Sequence, residues 1–195
     1  WTRAFYQPVL PMGEDGRRVT ASKEHIALSK DAAKEGMVLL KNQNQVLPLA
    51  KGSKVALFGK GTFDYVKGGG GSGDVYVPYI RNLYEGLSQK KESVCVFEEL
   101  ADFYRENVKK QYTEGAVPGM TLEPEIPVDL LQKAKAFTDT AIITICRFSG
   151  EGWDRKSVAD TKNDRLSDNE EVMTAMSARL FENGDEGRGS ACGHC

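Results

Sequence analysis

The chain has 195 residues, 40% of them hydrophobic and 28% charged, with a formal net charge of −2. That is the composition of a globular protein with enough chain for one domain and a modest core. The near-neutral balance gives no general attraction to nucleic acid or to an anionic membrane, and no apolar run reaches the roughly 18 residues of a membrane span.

Residues 1–20, with Pro8, Pro11 and Gly13, read as an irregular leader. They lack the apolar core of a signal peptide, which makes a cytoplasmic location the default expectation. Ser22 is placed to cap a helix in which Ile26, Ala33, Met37 and Leu40 recur at helical spacing, ending near the "KNQNQ" run. "KVALFGK", 54–60, predicts a strand, and "GTFDYVKGGGGSGDVYV" a loop. "PYIRNLYEGLSQ" predicts a helix opening at Pro78, a residue suited to a first turn. A second strand is expected over 93–99, a helix over 100–115, a proline-rich loop over 116–127, a helix over 128–139 and a third strand over 140–148. A last helix starts near Ser167, where Ser167 and Glu170 have capping-box spacing. Strands that are apolar throughout, alternating with helices, predict an α/β protein. Its sheet is mainly parallel with helices on both faces, a flavodoxin-like α/β sandwich. The domain is expected to span 21–182, followed by a polar, disordered tail over 183–195.

Ligands of such sheets gather beyond the carboxyl ends of the strands. Two loops meet that condition: "KGGGGSG", 67–73, after the first strand, and "SGEGWDR", 149–155, after the third. Right-handed crossovers bring both to one edge. The glycine run, with Gly69, Gly70 and Ser72, either cradles a ligand through its backbone or is a plain surface loop. No Gly-Lys-Ser/Thr follows it, which argues against a P-loop. In the second loop Glu151 lies between Gly150 and Gly152, with Trp153, Asp154 and Arg155 behind it. An indole plate desolvates a carboxyl and stacks on sugars, and a desolvated carboxyl suits general-acid chemistry. The same stretch also reads as an ordinary turn with an incidental acid. Cys95 and Cys146 stand in apolar strand-like runs and read as small buried hydrophobes. Cys192 and Cys195 form a terminal "CGHC" without the following helix that a redox site needs. No metal-ligand set and no cofactor motif is found.

Three ordered segments carry a resemblance: "EHIALSKDAAKEGMVLLKNQNQVLPL", 24–49; "KVALFGKGTFDYVKGGGGSGDV", 54–75; and "SGEGWDR", 149–155. Together they resemble the α/β-sandwich domain of glycoside hydrolase family 3, the β-glucosidase type, over roughly residues 20–180. The resemblance implies that Glu151 is the general acid/base of a retaining β-glycosidase. It also implies that Trp153, Asp154, Arg155, Gly69, Gly70 and Ser72 approach the substrate, a β-linked oligosaccharide or an aryl or alkyl β-glycoside. The nucleophile of such an enzyme belongs to a separate (β/α)8 barrel domain, for which these residues have no room. With the sandwich motifs near the start of the chain, the reversed domain order, sandwich before barrel, is expected.

In place of a further apolar strand the chain continues "ENGDEGRGSACGHC". A terminal strand of the sheet is therefore expected to be missing, and the uncovered edge admits a homo-oligomer. On this reading the 195 residues alone are an inactive fragment. Two other readings stay open: a non-catalytic carbohydrate-binding module, and a phosphate- or nucleotide-binding α/β module using the glycine loop. Glu98, Glu99, Glu123 and Glu125 are expected to be solvated surface carboxylates.

Overall fold

The computed structural model describes residues 21–42, 45–68, 71, 77, 79–146, 148, 151 and 173–174. The chain divides into two units, 1–48 and 49–195. In the first, helix α1 spans Lys23–Glu35, and the Ser22 hydroxyl caps it by accepting from the His25 amide at 3.3 Å. The helix is shorter than the periodicity predicts. Gly36 stands where it stops, a residue with high conformational cost inside a helix. Met37, Val38, Leu39 and Leu40 beyond it are exposed and extend no apolar helical stripe.

In the second unit, β1 (Ser53–Phe58), β2 (Val94–Val96) and β3 (Ala141–Ile143) form a sheet in the order β2-β1-β3. Both pairings are parallel, with Val55 opposite Val96 and Leu57 opposite Ile142. Strand β1 is central, and its side chains alternate between the two faces with a period of two. Val55 and Leu57 pack with Leu83, Tyr84 and Leu87 of α2 (Leu83–Ser88). Ala56 and Phe58 pack with Leu100 and Tyr104 of α3 (Glu98–Thr113) and with Leu130, Leu131 and Ala134 of α4 (Val128–Phe137). The helices therefore cover both faces of a parallel sheet, as the apolar strands require. Met173, in a helical position, joins the second cluster. Residues 1–20 and 182–195, including Cys192 and Cys195, lie outside the described residues.

Helix α2 begins at Leu83, five residues after Pro78. Asn82 outcompetes the proline as a start signal, because it completes a capping box. Its side chain accepts from the Glu85 amide at 2.8 Å, and the Glu85 carboxylate accepts from the Asn82 amide at 3.2 Å. Helix α3 has no side-chain cap, but Glu98 and Glu99 in its first turn complement the helix dipole. Leu100, Tyr104 and Val108, four apart, are its buried stripe. Cys95 and Cys146 are half-buried rather than core residues, because one lies on an outer strand and the other beyond the end of β3.

Leu131 is buried among the two helices and β1, whereas Leu122 is 75% exposed. Leu131→Ala should destabilise the chain by about 2–5 kcal/mol, and Leu122→Ala by no more than about 0.5 kcal/mol. Urea unfolding of both variants checks the difference.

Candidate active-site edge

The strand order β2-β1-β3 reverses direction at β1. The chain leaving β1 crosses to β2 on one side while β3 pairs on the other, and in open parallel sheets the carboxyl ends at such a point border a crevice. The two exits are tied together first. Thr144 donates its amide to the Phe58 carbonyl at 2.8 Å, and its hydroxyl donates to the Phe58 and Gly59 carbonyls at 2.9 and 3.0 Å. Gly59 has φ +93°, and a Cβ there would lie 2.7 Å from the Thr144 hydroxyl oxygen and closer still to the Thr144 carbonyl. Only glycine lets β1 end in this way.

Beyond this tie the glycine loop and the glutamate loop meet. Gly71 has φ +53°, and the Glu151 side chain lies directly against it. A Cβ at Gly71 would stand 2.7 Å from the Glu151 Cβ and 2.8 Å from its carboxyl carbon, inside any permitted contact. The two loops found separately in the sequence thus share one edge, and Glu151 is exposed there. Trp153, Asp154, Arg155, Gly69, Gly70 and Ser72 lie outside the described residues. Beside the pair is a cleft of about 570 Å³ whose walls include Phe63, Tyr65, Ile80, Tyr112, Pro118 and Phe148. Gly68 and Phe148, each three residues ahead of Gly71 and Glu151, also line it. Its surface is apolar and aromatic, with Asn82 and Glu85 engaged in their capping box.

Under the cleft lies a buried polar network that the sequence did not reveal. Asp64 is fully buried and accepts from the Gly119 amide at 2.6 Å, from the hydroxyls of Tyr112 and Thr121, and from the Thr121 amide. Lys60 is also buried, 3.7 Å from Asp64, and its ammonium donates to the carbonyls of Gly119 and Thr121. Glu123 is buried, contrary to the expectation of a solvated carboxylate. It accepts from the Lys60 amide and from the Tyr104 hydroxyl, each at 2.8 Å. The reason is that Gly119, Thr121, Glu123 and Ile126 turn inward from the loop 116–127, while Met120, Leu122 and Glu125 between them face solvent. Gln111 holds that loop from the other side, exchanging two hydrogen bonds with the Leu122 backbone. Glu98, Glu99 and Glu125 are exposed as expected. The four-residue spacing of Lys60 and Asp64 was the one local hint; nothing near Glu123 marks it. Among the described residues no cluster of histidine, cysteine or carboxylate side chains could hold a metal ion.

Burial alone would raise the Asp64 carboxyl. The hydrogen bonds from Thr121, Tyr112 and Gly119, with the Lys60 charge, outweigh it and hold Asp64 below the ordinary value of 3.8. Burial, reinforced by Glu123 and Asp64 respectively, pushes the Tyr104 and Tyr112 phenols up, so both remain donors.

The chain matches the family model for the glycosyl hydrolase family 3 C-terminal domain over residues 37–178. A parallel sheet with helices on both faces and a loop-built edge is thus a glycosidase-type α/β sandwich, and the chain belongs to the glycosyl hydrolase family 3 C-terminal domain family. It is 56% identical to β-glucosidase A of Butyrivibrio fibrisolvens over 185 residues, covering 95% of this chain and 22% of that protein. It is 33% identical to a β-glucosidase of Ruminococcus albus over 142 residues, covering 70% of this chain and 15% of that one. Among solved structures it is similar to β-glucosidase 3B of Thermotoga neapolitana in complex with α-D-glucose. There the identity is 36% and the TM-score 0.68, with 82% of this chain and 22% of that chain covered. A β-glucosidase of Paenibacillus barengoltzii gives 30% identity and a TM-score of 0.71, with 83% of this chain and 18% of that chain covered. The chain therefore spans about a fifth of the length of these relatives.

The lowered Asp64 carboxyl fixes the sign of one pH effect. A depressed folded-state value contributes stability above the unfolded value that is lost as pH falls through the folded one. The contribution of Asp64 is thus complete above about pH 5, and it is lost progressively below 3.8. Asp64→Asn leaves Lys60 buried without its charge partner and should cost on the order of 3 kcal/mol at pH 7. The penalty should shrink as pH falls toward 3. Urea unfolding of both proteins between pH 7 and pH 3 checks the convergence.

Proposed function

We propose that this domain supplies the general acid/base half of a retaining β-glucosidase active site, with Glu151 as the acid/base. The observation that carries the reading is the seat of Glu151 against Gly71, at the edge where the β1 and β3 loops meet. The substrate is a terminal β-linked glucosyl unit of an oligosaccharide, or an aryl or alkyl β-glucoside. The nucleophile is an aspartate on a (β/α)8 barrel domain outside these residues, in keeping with relatives that are about five times as long.

In the first step the aspartate attacks the anomeric carbon while Glu151 gives its proton to the departing glycosidic oxygen. A covalent glycosyl-enzyme and a free alcohol result. In the second step Glu151, now a carboxylate, takes a proton from water as that water displaces the aspartate, which restores the configuration. The exposed position of Glu151 lets it exchange protons with solvent between the steps. The aromatic cleft beside it suits the leaving group, which must lie within bonding reach of the acid. Trp153 is assigned to stack on the sugar, Asp154 and Arg155 to fix the loop, and Gly69, Gly70 and Ser72 to border the substrate.

In the full-length enzyme, Glu151→Ala should slow an alkyl glucoside by about 10²–10⁴-fold, because that leaving group needs a proton. A dinitrophenyl glucoside should lose less in its first step and accumulate glycosyl-enzyme. Azide should restore turnover and give a β-glucosyl azide, since the anion attacks without base help. Near-normal turnover of the alkyl glucoside would reject the assignment.

The 195 residues alone hold one of the two carboxyl groups. General acid/base help by itself is worth about 10²–10⁴-fold, against the 10⁶-fold or more typical of enzymes. The isolated chain should therefore show no steady turnover of nitrophenyl glucoside. Turnover abolished by Glu151→Ala would contradict the two-domain site.

A further inference from the structure

We propose that the buried Lys60–Asp64 pair is a positioning device for Glu151, working through Gly119 and Phe148. This rests on the assignment of Glu151 as acid/base. The two charges grip one residue by both its polar backbone atoms: Asp64 takes the Gly119 amide at 2.6 Å, and Lys60 takes the Gly119 carbonyl at 3.2 Å. They grip Thr121 in the same manner, Asp64 through its amide and hydroxyl and Lys60 through its carbonyl. The turn so held is pressed onto the segment that leads to Glu151. Gly119 has φ +82°, and a Cβ there would lie 2.6 Å from Val66 Cγ2, 2.8 Å from Phe148 Cβ and 3.0 Å from Phe148 Cγ. Its bare backbone is therefore a wall for the Phe148 side chain.

Phe148 is three residues ahead of Glu151, so the chain between them spans at most about 10 Å. The glutamate loop is then held at two places. Gly119 bears on Phe148 at its base, and Gly71 bears on the Glu151 side chain at its tip. A buried ion pair by itself seldom stabilises a protein more than an apolar pair of the same volume. Here each charge is spent on fixing the backbone of one turn, which gives the pair a use that apolar residues could not replace. Tyr112, whose hydroxyl also donates to Asp64, and Pro118 beside Gly119 both line the cleft. The same device therefore sets the wall of the cleft and the origin of the glutamate loop.

The expected effect is selective, because misplacing an acid by about 1 Å costs on the order of 10²-fold in rate. The test uses the full-length enzyme with Gly119→Ala, Asp64→Asn and, as reference, Glu151→Ala. Each is assayed for kcat/KM on an alkyl glucoside and on a dinitrophenyl glucoside, whose departure needs little protonation. Gly119→Ala should lower the alkyl substrate by about 10²-fold and the activated one by less than about tenfold, reproducing the selectivity of Glu151→Ala in weaker form. Asp64→Asn, which retains an acceptor for Gly119, should lose in the same direction but less. It also keeps the question answerable if Gly119→Ala does not fold. Equal losses on both substrates, in step with reduced thermal stability, would mean a structural role only and overturn the proposal. If Glu151→Ala itself shows no leaving-group selectivity, the acid/base assignment fails and this inference with it. If Glu151→Ala is selective and the other two variants are not, the positioning claim alone is wrong.

Discussion

The chain that leaves β3 runs against bare backbone, and the rest of the site depends on that close approach. Thr144 is fastened to the end of β1 across Gly59, Phe148 rests on Gly119, and Glu151 rests on Gly71. At each point a single methyl group would stand within 3 Å of its neighbour, closer than packed atoms permit. The entropic cost of ordering glycine is larger than that of any other residue. It is offset here by bringing three separate segments to one carboxylate.

Such an edge needs a foundation, because the loops that form it carry backbone groups that helices and strands do not satisfy. The loop from 116 to 127 covers the end of β1, and its buried amides and carbonyls require partners. Asp64 and Lys60 provide them, Gln111 ties the exposed Leu122 backbone, and Glu123 closes the network by taking the Lys60 amide and the Tyr104 hydroxyl. Tyr104 also stands in the apolar cluster of Ala56, Phe58 and Leu131. Core packing and site geometry are therefore joined through one side chain, apolar on its ring and polar at its tip.

What the sequence disclosed follows the range of each interaction. Strands such as 54–60 announce themselves, because a central parallel strand must be apolar on both faces. Val55, Ala56, Leu57 and Phe58 are indeed all buried. Pro78 is a familiar opening residue, but α2 starts at the stronger Asn82–Glu85 box within the same stretch. Met37 and Leu40 keep the helical spacing beyond Gly36, although α1 has already ended at Glu35. Glu123 escapes a local reading for a different reason. Its partners are Lys60 and Tyr104, 63 and 19 residues away, and no local pattern encodes a contact of that separation. Chemistry alone leaves Glu151 between an acid and a turn; the acid is the expectation of the resemblance that "SGEGWDR" and the two earlier segments carry.

Where the Glu151 carboxyl lies relative to the nucleophile decides whether it can serve as the acid/base. A crystal structure of the full-length protein, trapped as its 2-fluoroglucosyl-enzyme, measures this directly. The account predicts the Glu151 carboxyl resting against Gly71, about 5–5.5 Å from the aspartate that carries the sugar, as a retaining pair requires. A different carboxyl at that distance, with Glu151 turned away from the sugar, would contradict it.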